Sequence, residues 1–195
     1  MSRLDLVVGS NGAGKSTFVR LTLAQACPAA TFVNADVIAA QRWPEDPEQH
    51  SYEAAAIAAA TRARLIELRR PFIAETVFSH PTKLDLIAAA RAADYYIAVH
   101  AILIPEALAV ARVAARVAAG GHAVPEHKIR DRYRRLWPLV SEAIASADTA
   151  TVWDNSRHDG PRSVALFAGG QPVGSPDWPS WTPGALTRRW PAHAI

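Results

Sequence analysis

Several things are scarce in this chain, and each scarcity narrows what it can be. A single cysteine, Cys27, in 195 residues leaves no internal disulfide to form and fits a reducing compartment. No apolar run approaches the ~20 residues that a membrane-spanning helix needs. The first residues also lack the basic, apolar and small-residue succession of a secretion signal, so a cytoplasmic location without a membrane partner is expected. Lysine is limited to Lys15, Lys83 and Lys128, and the net charge of +3 therefore rests on arginine. Its one local cluster, "KIRDRYRR" at 128–135, reads as a solvated helix face or a phosphate-facing surface rather than a track for nucleic acid. There is no internal repeat, and no guanine-selecting N-K-x-D that would point to a GTPase switch.

What the chain does carry is "VVGSNGAGKSTF" at 7–18. Gly9, Gly14, Lys15 and Ser16 satisfy G-x-x-x-x-G-K-[ST], with Gly12 as an extra glycine inside the loop. An apolar run at 4–8 precedes the motif and a helix-permissive stretch at 16–26 follows it, the strand and helix that a phosphate-binding loop requires. Glycines let backbone N–H groups approach a polyphosphate, and the following helix adds the positive end of its dipole. Gly9, Ser10, Asn11, Gly12, Ala13, Gly14, Lys15, Ser16 and Thr17 are thus the candidate ATP-binding loop, exposed at the protein surface. Ser16 is the candidate ligand of Mg²⁺. A turn that merely joined strand to helix would not need lysine followed by serine.

Short apolar runs alternate with helical stretches along the rest of the chain. Strands are expected at 31–34, from Pro71 through "PFIAETVF", at "YYIAVHAILI", at "TATVWD" and at "RSVALFAGG". Helices are expected at about 47–70, over "PTKLDLIAAARAADY", after Pro105 until Gly120 and Gly121, and at about 126–147. The alternation predicts an α/β fold of P-loop kinase-like, three-layer type: a mostly parallel central sheet with helices on both faces. One domain is expected over 1–170. Residues 171–195, rich in proline and carrying Trp178, Trp181 and Trp190, are expected to form a tail pinned on that domain or at an interface, because large aromatics favour burial.

In such a sheet, ligands sit beyond the carboxyl ends of the strands. Asp36 follows the second strand and Glu75 and Thr76 end the third, so both positions share an edge with the loop at 9–17. The alternative for Asp36 is to cap the next helix, and for Glu75 to pair with an arginine inside the fold. Arg112 and Arg116 lie four apart on one helix with no acid three or four residues away, which suits polyphosphate; the alternative is pairing with acids on another element. "GGHAVP", with His122 at its tip, reads as a lid. Asn155, after "VWD", is a candidate at the adenine or an ordinary turn residue.

The loop wording also occurs in transporter ATPases, and "FAGGQ" at 167–171 echoes their signature. Here, however, it runs into "PVGSPDWP", which cannot open a long helix. A small kinase remains. At that point "GSNGAGKST", "FVNAD", "IAETVFS", "RVAARVAAGGHAVPEHKIRDRYRR" and "VWDNS", in this order over residues 1–168, resemble the zeta toxin family of bacterial toxin and antitoxin systems in its short chromosomal form. The resemblance implies a P-loop kinase that phosphorylates the sugar 3′-hydroxyl of UDP-N-acetylglucosamine and is restrained by a protein antitoxin. It implies Asp36 as catalytic base, Lys15 and Ser16 as holders of ATP and Mg²⁺, and Arg116 as a stabiliser of the phosphates. Asn34, Asp36, Glu75 and Thr76 form the implied acceptor side. Where the larger toxins place a lid arginine this chain has His122, leaving Arg130, Arg132 and Arg134 as possible substitutes. A kinase of another hydroxyl, including a nucleic-acid end, and a non-catalytic ATP-binding module both stay open.

Overall fold

A computed structural model describes residues 2–119 and 124–192. Its centre is a sheet of seven strands: β1 (Arg3–Gly9), β2 (Thr31–Val33), β3 (Phe72–Thr76), β4 (Tyr96–Leu103), β5 (Thr149–Asp154), β6 (Arg162–Ala168) and β7 (Gln171–Pro172). They lie in the order β2-β3-β1-β4-β5-β6-β7. The first five pair in parallel, and β6 and β7 close the edge antiparallel.

The helices are α1 (Lys15–Phe18), which runs through a π-helical turn at Val19–Leu23 into α2 (Ala24–Ala26), then α3 (Ala35–Arg42), α4 (Ser51–Glu67), α5 (Lys83–Ala92), α6 (Glu106–Ala118), α7 (Glu126–Ser146) and α8 (Gly184–Thr187). This is the mostly parallel, helix-flanked sheet that the alternation predicts.

Strand side chains point alternately to the two faces, and the apolar residues sort accordingly. Leu4, Leu6, Val8, Phe72 and Ala74 bury one face with Ala58 of α4, Ile87 of α5 and Trp137 of α7. Val7, Ile73 and Ile102 bury the other with Phe18, Val19, Ala109 and Val113. Both faces of β1 are covered, which is why its sequence is a continuous apolar run rather than an alternating one. Asp5 is the exception on that strand; it is buried and held by Arg3 and by His100 of β4.

Two expectations need adjusting. The helix expected over 47–70 is shorter, running over Ser51–Glu67, since Pro47 lacks the N–H that a helix interior needs. The strand pair expected at the end gains a third short strand, β7. After it, Trp190 is buried against Phe167, with ring centroids 4.7 Å apart. Its indole N–H donates to the Gly170 carbonyl. Trp178 donates to the Trp190 carbonyl, and Trp178 and Trp181 are partly buried. Gly120, Gly121 and His122, where the helix end and lid were expected, lie outside the described residues.

Candidate active site

The loop between β1 and α1 is shaped by close approaches. At Gly12, with φ of 74°, an added Cβ would stand 2.9 Å from the Ala109 carbonyl oxygen, so the loop sits directly on α6. At Gly14, with φ of 87°, it would stand 2.6 Å from the side-chain nitrogen of Asn155. Both contacts and both dihedrals demand glycine. Asn155, just past β5, donates from Nδ2 to the Ala13 carbonyl (2.8 Å). Arg112 on α6 donates to the Asn155 carbonyl (3.0 Å). These two candidates therefore brace the loop from the side.

Lys15 is buried rather than displayed on an exposed loop. Its Nζ donates to the Ser10 carbonyl (2.9 Å). Burial pushes the ammonium below its ordinary pKa; Glu75 and Asp36 oppose that shift and Arg116 adds to it. Four expected site residues thus lie within electrostatic reach of one another. Arg116 itself is exposed and engaged in a contact within the protein. Ser16 and Thr17 are exposed at the head of α1.

Ser16 Oγ donates to Glu75 Oε1 at 2.9 Å, while Oε2 of the same buried carboxylate has no partner among the described residues. Ser10 Oγ and Asn11 Oδ1 are likewise buried and unpartnered. Orphaned polar atoms of this kind are rare in folded proteins and mark places where an ion, water or ligand belongs. A hydroxyl beside a half-satisfied carboxylate suits a hard, oxygen-seeking cation, so the residues fit Mg²⁺. No group of three or more His, Cys, Asp or Glu able to hold a metal exists among the described residues.

The two acidic candidates differ in placement. Asn34 is the N-cap of α3: its Oδ1 accepts from the N–H groups of Asp36 (2.7 Å) and Val37 (3.3 Å). Capping is therefore the work of Asn34, and Asp36 stands exposed in the first turn with no side-chain cap bond of its own. Glu75 and Thr76 end β3 on opposite faces of the sheet. Glu75 turns toward Ser16, whereas Thr76 turns toward α4 and α5, its hydroxyl accepting from the Phe78 N–H.

Two arginines of the cluster at 128–135 are paired within the fold. Arg130 binds Glu126 and Glu106 (2.8 and 3.0 Å), and Arg134 faces Asp131. Arg130 is thus poorly placed to replace a lid arginine. Two cations escaped sequence reasoning: Arg62 of α4 and Lys83 of α5, which line a cavity with Thr76. A signal was present, since neither has an acid three or four residues away on its helix.

The profile of the AAA domain family matches residues 4–139. No curated protein matches. Among solved structures, the AvrRxo1-ORF1:ORF2 complex with ATP is similar at a TM-score of 0.70 and 15% identity, covering 89% of this chain and 60% of that one. A second structure of that complex, with sulphate ions, has 64% of its chain covered, so this chain spans less than two thirds of those relatives. The PezAT chromosomal toxin-antitoxin system of Streptococcus pneumoniae follows at 0.67 and 14%, covering 87% and 75%. The Pnkp1/Rnl/Hen1 RNA repair complex gives 0.60 and 19%, covering 72% and 46%. At these identities the likeness is one of fold, and at that level the resemblance to the zeta toxins holds. With the matched span running from β1 through the phosphate loop into α7, the chain belongs to the AAA domain family and is an ATP-binding P-loop protein of kinase-like fold.

Proposed function

We propose that this chain is a Mg²⁺-ATP-dependent phosphotransferase with an alcohol acceptor. The acceptor that the zeta-type resemblance favours is the sugar 3′-hydroxyl of UDP-N-acetylglucosamine, with a protein antitoxin as partner and the cytoplasm as setting. One observation carries the reading. Asp36, released from capping by Asn34, stands exposed within electrostatic reach of the buried phosphate-loop lysine, on the edge where Glu75 meets Ser16. A non-catalytic ATP site would need no free carboxylate there.

The chemistry follows from that arrangement. Asp36 accepts the proton of the acceptor hydroxyl as its oxygen attacks the terminal phosphorus in line. The bond to the bridging oxygen breaks and ADP departs. Lys15 and Arg116 offset the charge spread over the moving phosphoryl group. Ser16, with Glu75 beside it, would hold Mg²⁺, which would supply positive charge to offset that of the polyphosphate. Gly9 to Thr17 wrap the polyphosphate, while Arg112 and Asn155 keep the loop in shape. Asn34 fixes the backbone under Asp36, and Glu75 and Thr76 border the acceptor.

Incubating the protein with Mg²⁺-ATP and a panel of sugar nucleotides, read by mass spectrometry, tests the reading. UDP-N-acetylglucosamine should gain one phosphate as ADP appears. Transfer to a different member of the panel would keep the kinase and correct its acceptor. Absence of transfer to every member, with ATP bound, would overturn the sugar-nucleotide acceptor and leave a kinase of another hydroxyl, such as a nucleic-acid end, or the non-catalytic module.

A further inference from the structure

Beside β3, between α4 and α5, lies a cavity of about 210 Å³ lined by Arg62, Lys83, Thr76, Thr82, Phe78 and Leu86, among others. That is far above the roughly 10–15 Å³ one water molecule requires. We infer that this cavity seats an anionic group of the acceptor, a phosphate ester or diphosphate, clasped by Arg62 and Lys83. The inference rests on the phosphotransferase reading above and adds to it a second anion site, separate from the phosphate loop.

The two cations are half-buried, and among the described residues no ion pair or hydrogen bond engages either side chain. Other arginines of the same helices are matched: Arg64 binds Glu67 and Arg91 binds Asp148. Burial pushes the pKa of both Arg62 and Lys83 down, and the nearby Arg62 lowers Lys83 further. Two like charges thus face one cavity without a counter-ion, an arrangement that costs free energy until an anion enters. Lys83 also opens α5, where the helix dipole disfavours a cation and favours an anion. The Thr76 hydroxyl, which accepts from the Phe78 N–H, keeps its own proton to donate to a phosphate oxygen, while that of Thr82 is engaged with His80 Nδ1. Arginine supplies the forked donor pair that such oxygens accept best.

Position connects this cavity to the chemistry. Thr76 follows Glu75 directly, but on the opposite face of the sheet, so an acceptor anchored on Arg62 and Lys83 needs only to cross the end of β3. Its hydroxyl then meets the Asp36 and Glu75 side. Anchoring by a remote group in this way converts binding energy into alignment of the reacting atoms.

The test uses the scarcity of lysine. Amine acetylation of the intact protein is followed at Lys83 by peptide mass spectrometry, with Lys128 as internal control. Mg²⁺ and a non-hydrolysable ATP analogue fill the phosphate loop throughout, their binding monitored by the rise in Tm. Pyrophosphate and glucose 6-phosphate, at ten times their dissociation constants, should slow Lys83 acetylation about tenfold by mass action. Lys128 should be unaffected, glucose should give no protection, and Arg62→Gln should abolish most of the effect. Protection by glucuronate but not by the phosphates would overturn the phosphate assignment in favour of a carboxylate. An unprotected Lys83 in wild-type protein whose loop is filled would overturn the cavity as an anion site, and that measurement needs no variant. Unchanged protection in a folded Arg62→Gln variant would overturn the clasp. Protection at Lys83 without any Tm response to the ATP analogue would refute the kinase reading and leave the anion site standing.

Discussion

Lys15 and Asn34 carry different burdens although they stand on the same strand edge. Lys15 is buried with its ammonium on the Ser10 carbonyl, so its stem packs while its charge waits for phosphate. Lys15→Met should keep the packing and remove the charge: nucleotide turnover should vanish while Tm stays close to wild type. Undiminished transfer in the folded variant would contradict the assignment of the loop. Asn34 caps α3 through two backbone N–H groups. Asn34→Ala should cost about 1 kcal/mol of stability, measured by denaturant unfolding, and should also slow transfer by loosening the turn that carries Asp36. Asn34→Asp should restore both, because aspartate caps equally well; rescue of stability without rescue of rate would separate Asn34 from the positioning of Asp36.

At the scale of elements, the edge beyond β6 is where the account is most exposed to a stability test. Trp190 packs on Phe167 and donates to the Gly170 carbonyl, with Leu186 of α8 buried beside it. Trp190→Ala should destabilise the fold by ~3–5 kcal/mol, the usual cost of deleting a buried indole; a Tm equal to wild type would show the segment after β7 to be dispensable. Not every element was equally legible in the sequence. The phosphate loop was, because four fixed positions must coincide and its flanks have opposite periodicities. So was the parallel sheet, because β1, β3 and β4 are apolar runs covered on both sides. The start of α4 was harder, since Pro47 is acceptable in the first turn of a helix and only the fold places that start at Ser51. β7 is two residues long, one of them proline, and only its pairing with β6 makes it a strand. In the site, the cap of α3 was sought at Asp36 and lies at Asn34, and a choice between residues two apart depends on backbone geometry that the sequence does not display. Arg62 and Lys83 come from helices far apart in the chain, so their convergence needed the fold.

Across the whole molecule, stability should fall in acid for an identifiable reason. Burial favours protonation of Asp5, but its hydrogen bonds to His100 and Arg3 outweigh that, and its pKa ends below the ordinary carboxylate value. A group with a depressed folded pKa contributes stability above its unfolded value, near 3.9, and loses it as pH falls through the folded value. Asp5→Asn should therefore lower Tm at neutral pH, and the gap from wild type should close below about pH 4; a gap independent of pH would point to packing alone. The central claim concerns catalysis, and Asp36 decides it. Asparagine keeps the size of aspartate and loses the basicity, and Asn34 supplies the cap in either case. The most direct measurement is the transfer rate of Asp36→Asn against wild type at saturating Mg²⁺-ATP, with UDP-N-acetylglucosamine as acceptor. The account predicts a fall of ~10²–10⁴ with the ATP-induced rise in Tm retained; a variant that transfers phosphate at the wild-type rate would contradict it.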